Sequence, residues 1–266
     1  MRAAFSFALA VLAASPAGAC GVKTDCQLGE RSYRLHMPER KNSDPVGAII
    51  FAHGYKGSAA GTMSDKSLLM LADELGVALV AARSTDQDWQ LPGRPRQTGN
   101  TGEIEFAYFR RLIEELKTRH GIDPGKLLLT GFSAGGMLIW NLACNMGGSF
   151  AGLAPVAGTF WAPMPESCKT PPANLIHYHG TADKMVPLAG RAIADTKQGD
   201  VSDALALAIK GGGFGAPEPV EAVGLECQRR TNPDGKILEF CTHGGGHSYK
   251  ADYIRRAWRV LGIASR

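Results

Sequence analysis

The chain has 266 residues, of which 44% are hydrophobic and 20% are charged. This length fits one α/β domain with a full core. The formal net charge of +4 is small and no run of basic residues accompanies it, which argues against nucleic acid or an anionic membrane surface as a partner.

The first residues indicate a secretory leader. An apolar run at 5–14 follows Arg2, and small residues lead up to a cleavage position after Ala19. This run is too short to span a bilayer comfortably, as in a signal peptide. We therefore expect a signal peptide at 1–19 and a single mature domain at 20–266 that is secreted or periplasmic.

Cleavage at that position would make Cys20 the first residue of the mature chain. A lipoprotein carries its lipid on a cysteine in this place. However, Ala17 stands where a lipoprotein signal usually has leucine, so we favour a soluble exported protein.

Six cysteines in an exported chain predict three disulfides. Cys227 and Cys241 lie almost symmetrically about a turn signal at 232–235, so they should face each other across a hairpin. Cys20 and Cys26 are close in sequence, which leaves one more pair. The expected bonds are Cys20–Cys26, Cys144–Cys168 and Cys227–Cys241. No Cys or His pair has the usual spacing of zinc ligands, so we expect no metal.

Strands and helices are predicted to alternate along the chain. Residues 33–37 alternate apolar and polar, as in an antiparallel edge strand. Almost wholly apolar runs predict parallel strands buried on both faces, at 47–52, 77–82, 126–130, 150–156 and 175–177. Helical patterns lie between them, at 67–75, 104–119 and 134–145. This alternation predicts a mostly parallel central sheet with helices on both faces, in one α/β domain.

The run GFSAG at 131–135 holds Ser133 between a predicted strand and a predicted helix. A serine on such a turn is the nucleophile elbow of a serine hydrolase. Glycines flank it because side chains at 131 and 135 would collide with the backbone. The alternative, a glycine-rich loop that only caps a helix, is less favoured because the strand and helix are both present.

A serine nucleophile needs a base and an acid, which in this fold type follow it in the order acid, then histidine. Asp183 lies on a loop after a predicted strand, although it could do ordinary turn work. A further strand is predicted at 236–240, and His247 lies on the glycine-rich loop that follows it, before the last helix. His243 is a competing base closer to this strand, and His177 and His179 precede Asp183 and break the order.

The pair His53-Gly54 follows an apolar strand ahead of the nucleophile and indicates an oxyanion hole. Two backbone N–H donors are needed there, and we expect them from Ala134, directly after the serine, and from Tyr55. His53 itself is expected to brace this loop without transferring protons.

Together these segments, with HGTADKMVP at 179–187 and GGGHSY at 244–249, resemble the secreted polyhydroxybutyrate depolymerase and feruloyl esterase-like branch of the α/β-hydrolase superfamily. The resemblance covers nearly all of the chain after the leader. It implies Ser133 as nucleophile, Asp183 as acid, His247 as base, and a small-molecule or polymeric ester as substrate, with no cofactor. Many relatives carry Cys where this chain has Tyr55, so the substrate is not fixed by the resemblance.

Two insertions and two tryptophans are expected near this site. Residues 83–101 follow a strand end and contain Trp89, and residues 198–219 hold a short helix and a glycine-rich run that could be a lid, a connector or neither. Trp89 and Trp161 could contact the substrate or could pack in the core. Both insertions are polar, which favours short acyl esters over long lipid chains.

The favoured function is an exported carboxylic ester hydrolase that forms an acyl-enzyme. An acyltransferase or a peptidase would use the same residues. A catalytically silent binding protein is the alternative from another class, since fold does not fix function.

Overall fold

The apolar runs of the sequence form the strands of one large sheet. In the computed structural model of the protein, which describes residues 20–39, 43–171 and 173–263, ten strands join in the order β1-β2-β4-β3-β5-β6-β7-β12-β11-β10, and β8 pairs with β9 in a small hairpin. The predicted leader at 1–19 lies outside the described residues. The strands are β1 Cys26–Leu28, β2 Arg31–His36, β3 Val46–Ala52, β4 Ala78–Ala82, β5 Ile122–Phe132, β6 Gly152–Val156, β7 Leu175–Gly180, β8 Ala192–Ile193, β9 Thr196–Lys197, β10 Glu218–Ala222, β11 Leu225–Thr231 and β12 Ile237–His243.

The six central strands of the sheet, from β4 to β12, run parallel to one another. Antiparallel strands flank them, with β2 and β1 on one side and β11 and β10 on the other. The carboxyl ends of the central strands therefore meet at one edge of the sheet, where the loops that follow them can share a site.

Residues 33–37 do not form the edge of the sheet, which corrects one expectation. Strand β2 is antiparallel to β4 as predicted, but the three-residue β1 pairs with its outer side. Tyr33 is fully buried there and its hydroxyl is 2.6 Å from His120 Nε2. Strand β1 has too few residues to show an alternating hydrophobic pattern, and the sequence therefore did not predict it.

Helices cover both faces of the sheet, as predicted. They are α1 Ala59–Ser64, α2 Lys66–Leu75, α3 Glu103–His120, α4 Ala134–Met146, α5 Val201–Gly212 and α6 Ala251–Val260. Alternate residues of β3 serve two separate cores: Ile50 packs on the side of α3 and α4, whereas Ile49 and Phe51 pack on the side of α2 and α6. Burying each such side chain contributes about 1.5–3 kcal/mol. Among the described residues, no helix combines the length and apolarity that a membrane span requires.

Helix α2 illustrates how the local sequence sets these elements. Asp65 caps its start by accepting a hydrogen bond from Ser67 N–H at 2.9 Å. Leu68, Leu71 and Ala72 recur at helical spacing and are buried against the sheet. Gly76 then ends the helix in the left-handed conformation, at φ 65°.

The second insertion is a connector to the sheet edge. Its glycine-rich run begins in the last turn of α5, and Gly213 caps that helix at φ 60°. Phe214 is then buried in the core, and the chain continues into β10, which pairs with β11. The segment thus connects α5 to the edge of the sheet.

The structure contains the three disulfides Cys20–Cys26, Cys144–Cys168 and Cys227–Cys241. Cys227 and Cys241 stand directly opposite each other on β11 and β12. Cys144 lies in the last turn of α4, which its bond ties to the loop that carries Cys168.

Replacing both Cys227 and Cys241 with alanine should lower the free energy of unfolding by about 3 kcal/mol, since the bond closes a loop of roughly fifteen residues. Urea denaturation followed by far-UV circular dichroism measures this change. The parent protein, reduced before unfolding, should move in the same direction. An unchanged midpoint in the double variant would show that the bond does not stabilise the hairpin.

Candidate active site

Ser133 lies at the turn between β5 and α4 with a strained backbone. Its φ of 59° and ψ of −119° are far from the regions that residues with a side chain usually occupy. Two hydrogen bonds hold it there: Ser133 N–H donates to Val156 O at 2.9 Å, and Ser133 O accepts from Met137 N–H at 2.9 Å. The hydroxyl is thus fixed at the N-terminus of α4, whose partial positive charge favours an anionic oxygen.

The glycine at 135 is required by a close approach of backbones. A Cβ added to Gly135 would lie 2.0 Å from Ala52 O at the end of β3, and one on Gly131 would lie 2.7 Å from the carbonyl carbon of Gly135. Atoms cannot approach so closely. The spacing of glycines around Ser133 therefore follows from how tightly α4 packs against the strand ends.

Asp183 and His247 form a hydrogen-bonded pair. His247 Nδ1 is 2.6 Å from Asp183 Oδ2, and the carboxylate is fully buried. The other carboxylate oxygen, Oδ1, accepts hydrogen bonds from the backbone N–H groups of Met185 and Val186 at 2.8 and 2.9 Å. A carboxylate in this position accepts a hydrogen bond from the Nδ1–H of His247. The Nε2 atom of the neutral ring then carries no proton and can act as an acceptor.

Neighbouring strands place this pair beside the serine. Asp183 follows β7 and His247 follows β12, and the two loops are joined because Thr181 N–H donates to His243 O at 2.8 Å. The His247 ring packs on Phe132, with centroids 4.6 Å apart. The base candidate thus contacts the residue directly before Ser133. The hydrogen bonds of the described residues do not include one from Ser133 Oγ to His247; in unliganded enzymes such bonds are often long and tighten when substrate binds.

His243, the competing base, has other partners. Its Nδ1 accepts a hydrogen bond from Gly245 N–H at 3.1 Å, and its ring stacks on Tyr253. Burial lowers its pKa. The geometry therefore favours His247 over His243.

His177 and His179, the two histidines that precede Asp183 in the sequence, lie next to it in the structure. His177 Nε2 is 2.9 Å from His179 Nδ1, and His179 Nε2 is 2.7 Å from Val186 O and 3.6 Å from Asp183 Oδ2. Burial lowers the pKa of both rings, so they remain neutral. The sequence signal for this contact was a pair of histidines two positions apart in an apolar strand, which places them on one face.

The two residues expected to donate to an oxyanion lie beside Ser133. Tyr55 and Ala134 both line a cavity beside Ser133, and among the described residues neither backbone N–H has an acceptor. His53, just before this loop, is buried: its Nε2 accepts from Ser84 N–H, so its Nδ1–H donates to Gly54 O at 2.8 Å. These bonds brace the loop, and burial lowers the pKa of the ring.

Of the two roles expected for Trp89, substrate contact and core packing, the structure agrees with packing, because Trp89 does not line this cavity. Its side chain is fully buried, its indole N–H donates to His53 O at 2.8 Å, and its ring packs between His53 and Phe109. Trp89 instead fixes the loop that carries Tyr55. Trp161, by contrast, lines the cavity.

The cavity has a volume of about 490 Å³ and is open to solvent beside Ser133. The first insertion borders it through residues 88 and 94–97, and a segment after the acid borders it through residues 185–198. Buried Glu105 anchors the first insertion, because it accepts from Gln90 N–H at 2.9 Å while paired to Arg31 at 3.1 Å. Nothing in the sequence marked Glu105 for this purpose.

Two groups of side chains in the described residues lie close enough to share a metal ion. They are Cys20, Cys26 and His120, and Cys227, Glu239 and Cys241. The cysteines of both groups are joined in disulfides, so they offer no thiolate.

The chain is similar to several esterases. It is 29% identical to the candidate esterase NocK of Nocardia uniformis subsp. tsuyamanensis, over 89% of this chain and 75% of that one. It is 23% identical to feruloyl esterase D of Neurospora crassa, over 90% and 84% of the two chains. A shorter stretch of 57 residues is 35% identical to poly(3-hydroxyalkanoate) depolymerase C of Paucimonas lemoignei, and covers 21% of this chain and 14% of that one.

Among solved structures, an acetyl xylan esterase from Aspergillus awamori superposes with a TM-score of 0.62 at 15% identity, over 88% of this chain and 94% of that one. No family model matches the chain. The superposition shows a shared fold.

Replacing Gly135 with alanine should disrupt the turn that holds Ser133. The added Cβ meets backbone atoms that cannot swing away, and such overpacking should cost about 3 kcal/mol of folding free energy. A displaced serine should also lower kcat/KM about 100-fold. Thermal unfolding and ester hydrolysis measure the two effects.

Gly148→Ala is the matched control, because a Cβ there meets nothing within 4 Å. It should leave stability and turnover unchanged. Equal behaviour of the two variants would mean that the close approach at position 135 does not constrain the site.

Proposed function

We propose that this chain, an α/β-hydrolase of the polyhydroxybutyrate depolymerase and feruloyl esterase-like branch, is an exported serine esterase that cleaves short acyl esters. Its relatives are ester hydrolases, and the enzyme class is the same. The observation that carries the mechanism is the hydrogen bond of 2.6 Å between His247 Nδ1 and Asp183 Oδ2, on loops beside the strained turn of Ser133.

Acylation begins when Ser133 Oγ attacks the ester carbonyl carbon. His247 Nε2 takes the hydroxyl proton, and Asp183 holds the imidazole in the required tautomer and stabilises its positive charge. The carbonyl oxygen becomes an oxyanion between the N–H groups of Ala134 and Tyr55, each worth about 3 kcal/mol of barrier. Collapse of this intermediate breaks the C–O bond, and His247 returns the proton to the departing alcohol.

Deacylation repeats these steps with water. His247 Nε2 takes a proton from water as its oxygen attacks the acyl carbon of the Ser133 ester. Collapse of the second intermediate releases the carboxylic acid and restores the proton to Ser133 Oγ. No group beyond the chain's own residues is needed for either half.

An acyltransferase would replace water with another alcohol, and a peptidase would cleave amides with the same residues. Product analysis with added alcohol tests the first, and a panel of matched amides tests the second. A binding protein without activity would not react with a fluorophosphonate probe. None of these alternatives has an observation of its own in favour.

Export is supported by the disulfides, which are typical of oxidising compartments. The bond between Cys20 and Cys26 also favours a soluble product over a lipoprotein, because a lipid-modified Cys20 thiol could not form it. We accordingly propose cleavage after Ala19 and a secreted or periplasmic enzyme.

Ser133→Ala and His247→Ala should each lower turnover of an activated ester by about a million-fold, whereas Asp183→Asn should cost about ten-thousand-fold. Ser133→Ala should also abolish labelling by a fluorophosphonate probe. Steady-state kinetics and intact mass spectrometry provide the measurements.

His243→Ala is the matched control and should have a mild effect, since this ring contacts neither Asp183 nor Phe132 in the described hydrogen bonds and ring contacts. Wild-type turnover in folded Ser133→Ala would overturn the mechanism. Loss of activity in His243→Ala but not in His247→Ala would reverse the assignment of the base.

For nitrophenyl esters, kcat/KM should peak at short acyl groups and fall towards palmitoyl. Each buried methylene contributes about 0.8 kcal/mol, but only while the cavity has room for it. A cavity of about 490 Å³ with a polar border suits a compact acyl group. A rate that rises steadily to palmitoyl, or amide cleavage as fast as ester cleavage, would contradict this substrate class.

A further inference from the structure

Among the charged side chains that line the cavity beside Ser133, positive ones predominate. Arg94 and Arg96 reach it from the first insertion and Arg191 from the segment after the acid, whereas Asp88 is the one carboxylate in its lining among the described residues. Three positive groups against one negative group leave the lining with an excess of positive charge. In a concave site such charges reinforce one another and attract an anion.

Arg94 is the most enclosed of these cations. Its side chain is only 14% exposed, and its Nε lies 3.5 Å from Asp88 Oδ2. Its Nη1 is buried without a hydrogen-bond partner in the described structure. Because Arg94 also lines the cavity, its guanidinium can offer N–H groups to an oxyanion of a ligand bound there.

Asp88 neutralises Arg94 only in part. Its Oδ1 accepts a hydrogen bond from Trp89 N–H at 2.9 Å, and its contact with Arg94 is a single long one. Burial raises the pKa of Asp88. In the described residues, Asp88 and Arg94 make no hydrogen bond within normal distance, so the arginine keeps hydrogen-bonding capacity for another anion.

The other two arginines stand on fixed backbone. Arg191 Nε donates to Met185 O at 2.9 Å, and the N–H of Met185 donates to Asp183, so this cation is tied to the segment that orients the acid. Arg96 N–H donates to Asp195 Oδ1 at 2.8 Å, which joins the first insertion to the β8–β9 hairpin. The cationic wall is therefore held by the same contacts that shape the cavity.

We infer that this cavity binds a free carboxylate, and that the preferred substrates are esters that carry one, with Arg94 as its principal partner. The inference rests on the proposed esterase activity and narrows its substrate class. A planar guanidinium pairs with a carboxylate through two parallel hydrogen bonds, which a neutral ester in the same position cannot replace.

The test compares each acid with its own methyl ester. Nitrophenyl hemiglutarate carries the carboxylate on the acyl side, and 3-acetoxybenzoate carries it on the alcohol side. For at least one of these, kcat/KM should exceed that of the methylated compound about 10- to 100-fold in the wild-type enzyme, and this ratio should shrink as salt is raised.

Arg94→Gln should reduce that ratio about tenfold or more, and Arg94→Lys, which keeps the charge but not the fork, should fall between. Arg191→Gln offers a second variant at a less enclosed position, should Arg94→Gln not fold. Arg110→Gln is the control, because Arg110 is 56% exposed on α3 and pairs only loosely with Glu103. It should leave the ratio unchanged.

A wild-type ratio near one for both pairs, or a ratio that Arg94→Gln and Arg191→Gln leave intact, would overturn the inference while the esterase activity stands. Calorimetry can test the carboxylate site separately from the esterase activity, by comparing the affinity for glutarate with the affinity for its neutral diamide. If no ester is hydrolysed but glutarate binds and Arg94→Gln removes that binding, the anion site is supported and the esterase proposal fails. If glutarate binds no better than the diamide, the anion site is rejected whatever the enzyme hydrolyses.

Discussion

The first turn of α4 is pressed between the ends of two strands, and much of the molecule depends on that contact. A Cβ on Gly135 would lie 2.0 Å from Ala52 O of β3, and one on Gly136 would lie 2.5 Å from Val156 O of β6. Only bare backbone fits in this space. The helix therefore begins so close to the sheet that the residue before it, Ser133, must turn sharply at positive φ.

The same contact sets the path of the neighbouring loops. Ala157, directly after β6, also has a positive φ of 50°, and its N–H donates to Tyr178 O of β7. Such residues cost about 1–3 kcal/mol each and persist only where the surroundings fix them. Here the buried parallel strands on both sides provide that support. The N-terminus of α4, the loop with Tyr55 and the wall with Trp161 then all face one cavity.

Much of this arrangement could be predicted because it depends on local patterns in the sequence. The parallel strands are apolar runs, Ser133 lies between two glycines, and Asp183 and His247 follow strands in the order that the turn requires. The positions that escaped prediction depend on contacts between distant segments. The sequence left Trp89 between substrate contact and core packing, and the structure packs it with its indole N–H bonded to His53 O. Strand β10 has exposed residues and a proline that give no strand signal. Likewise, the burial of Arg94 follows from how the first insertion folds back, which no local pattern encodes.

The disulfides show a further property when they are considered together. Their partners are separated by 6, 24 and 14 residues. The first bond joins β1 to the segment before it, the second joins the end of α4 to a loop beyond β6 and so encloses that central strand, and the third closes a hairpin. None links the two halves of the sheet. The pairing of the central strands with one another is therefore held by their hydrogen bonds and burial, without a covalent link across the sheet. In the chain-entropy model, the Cys144–Cys168 bond closes the longest of the three loops and therefore restricts the unfolded chain the most.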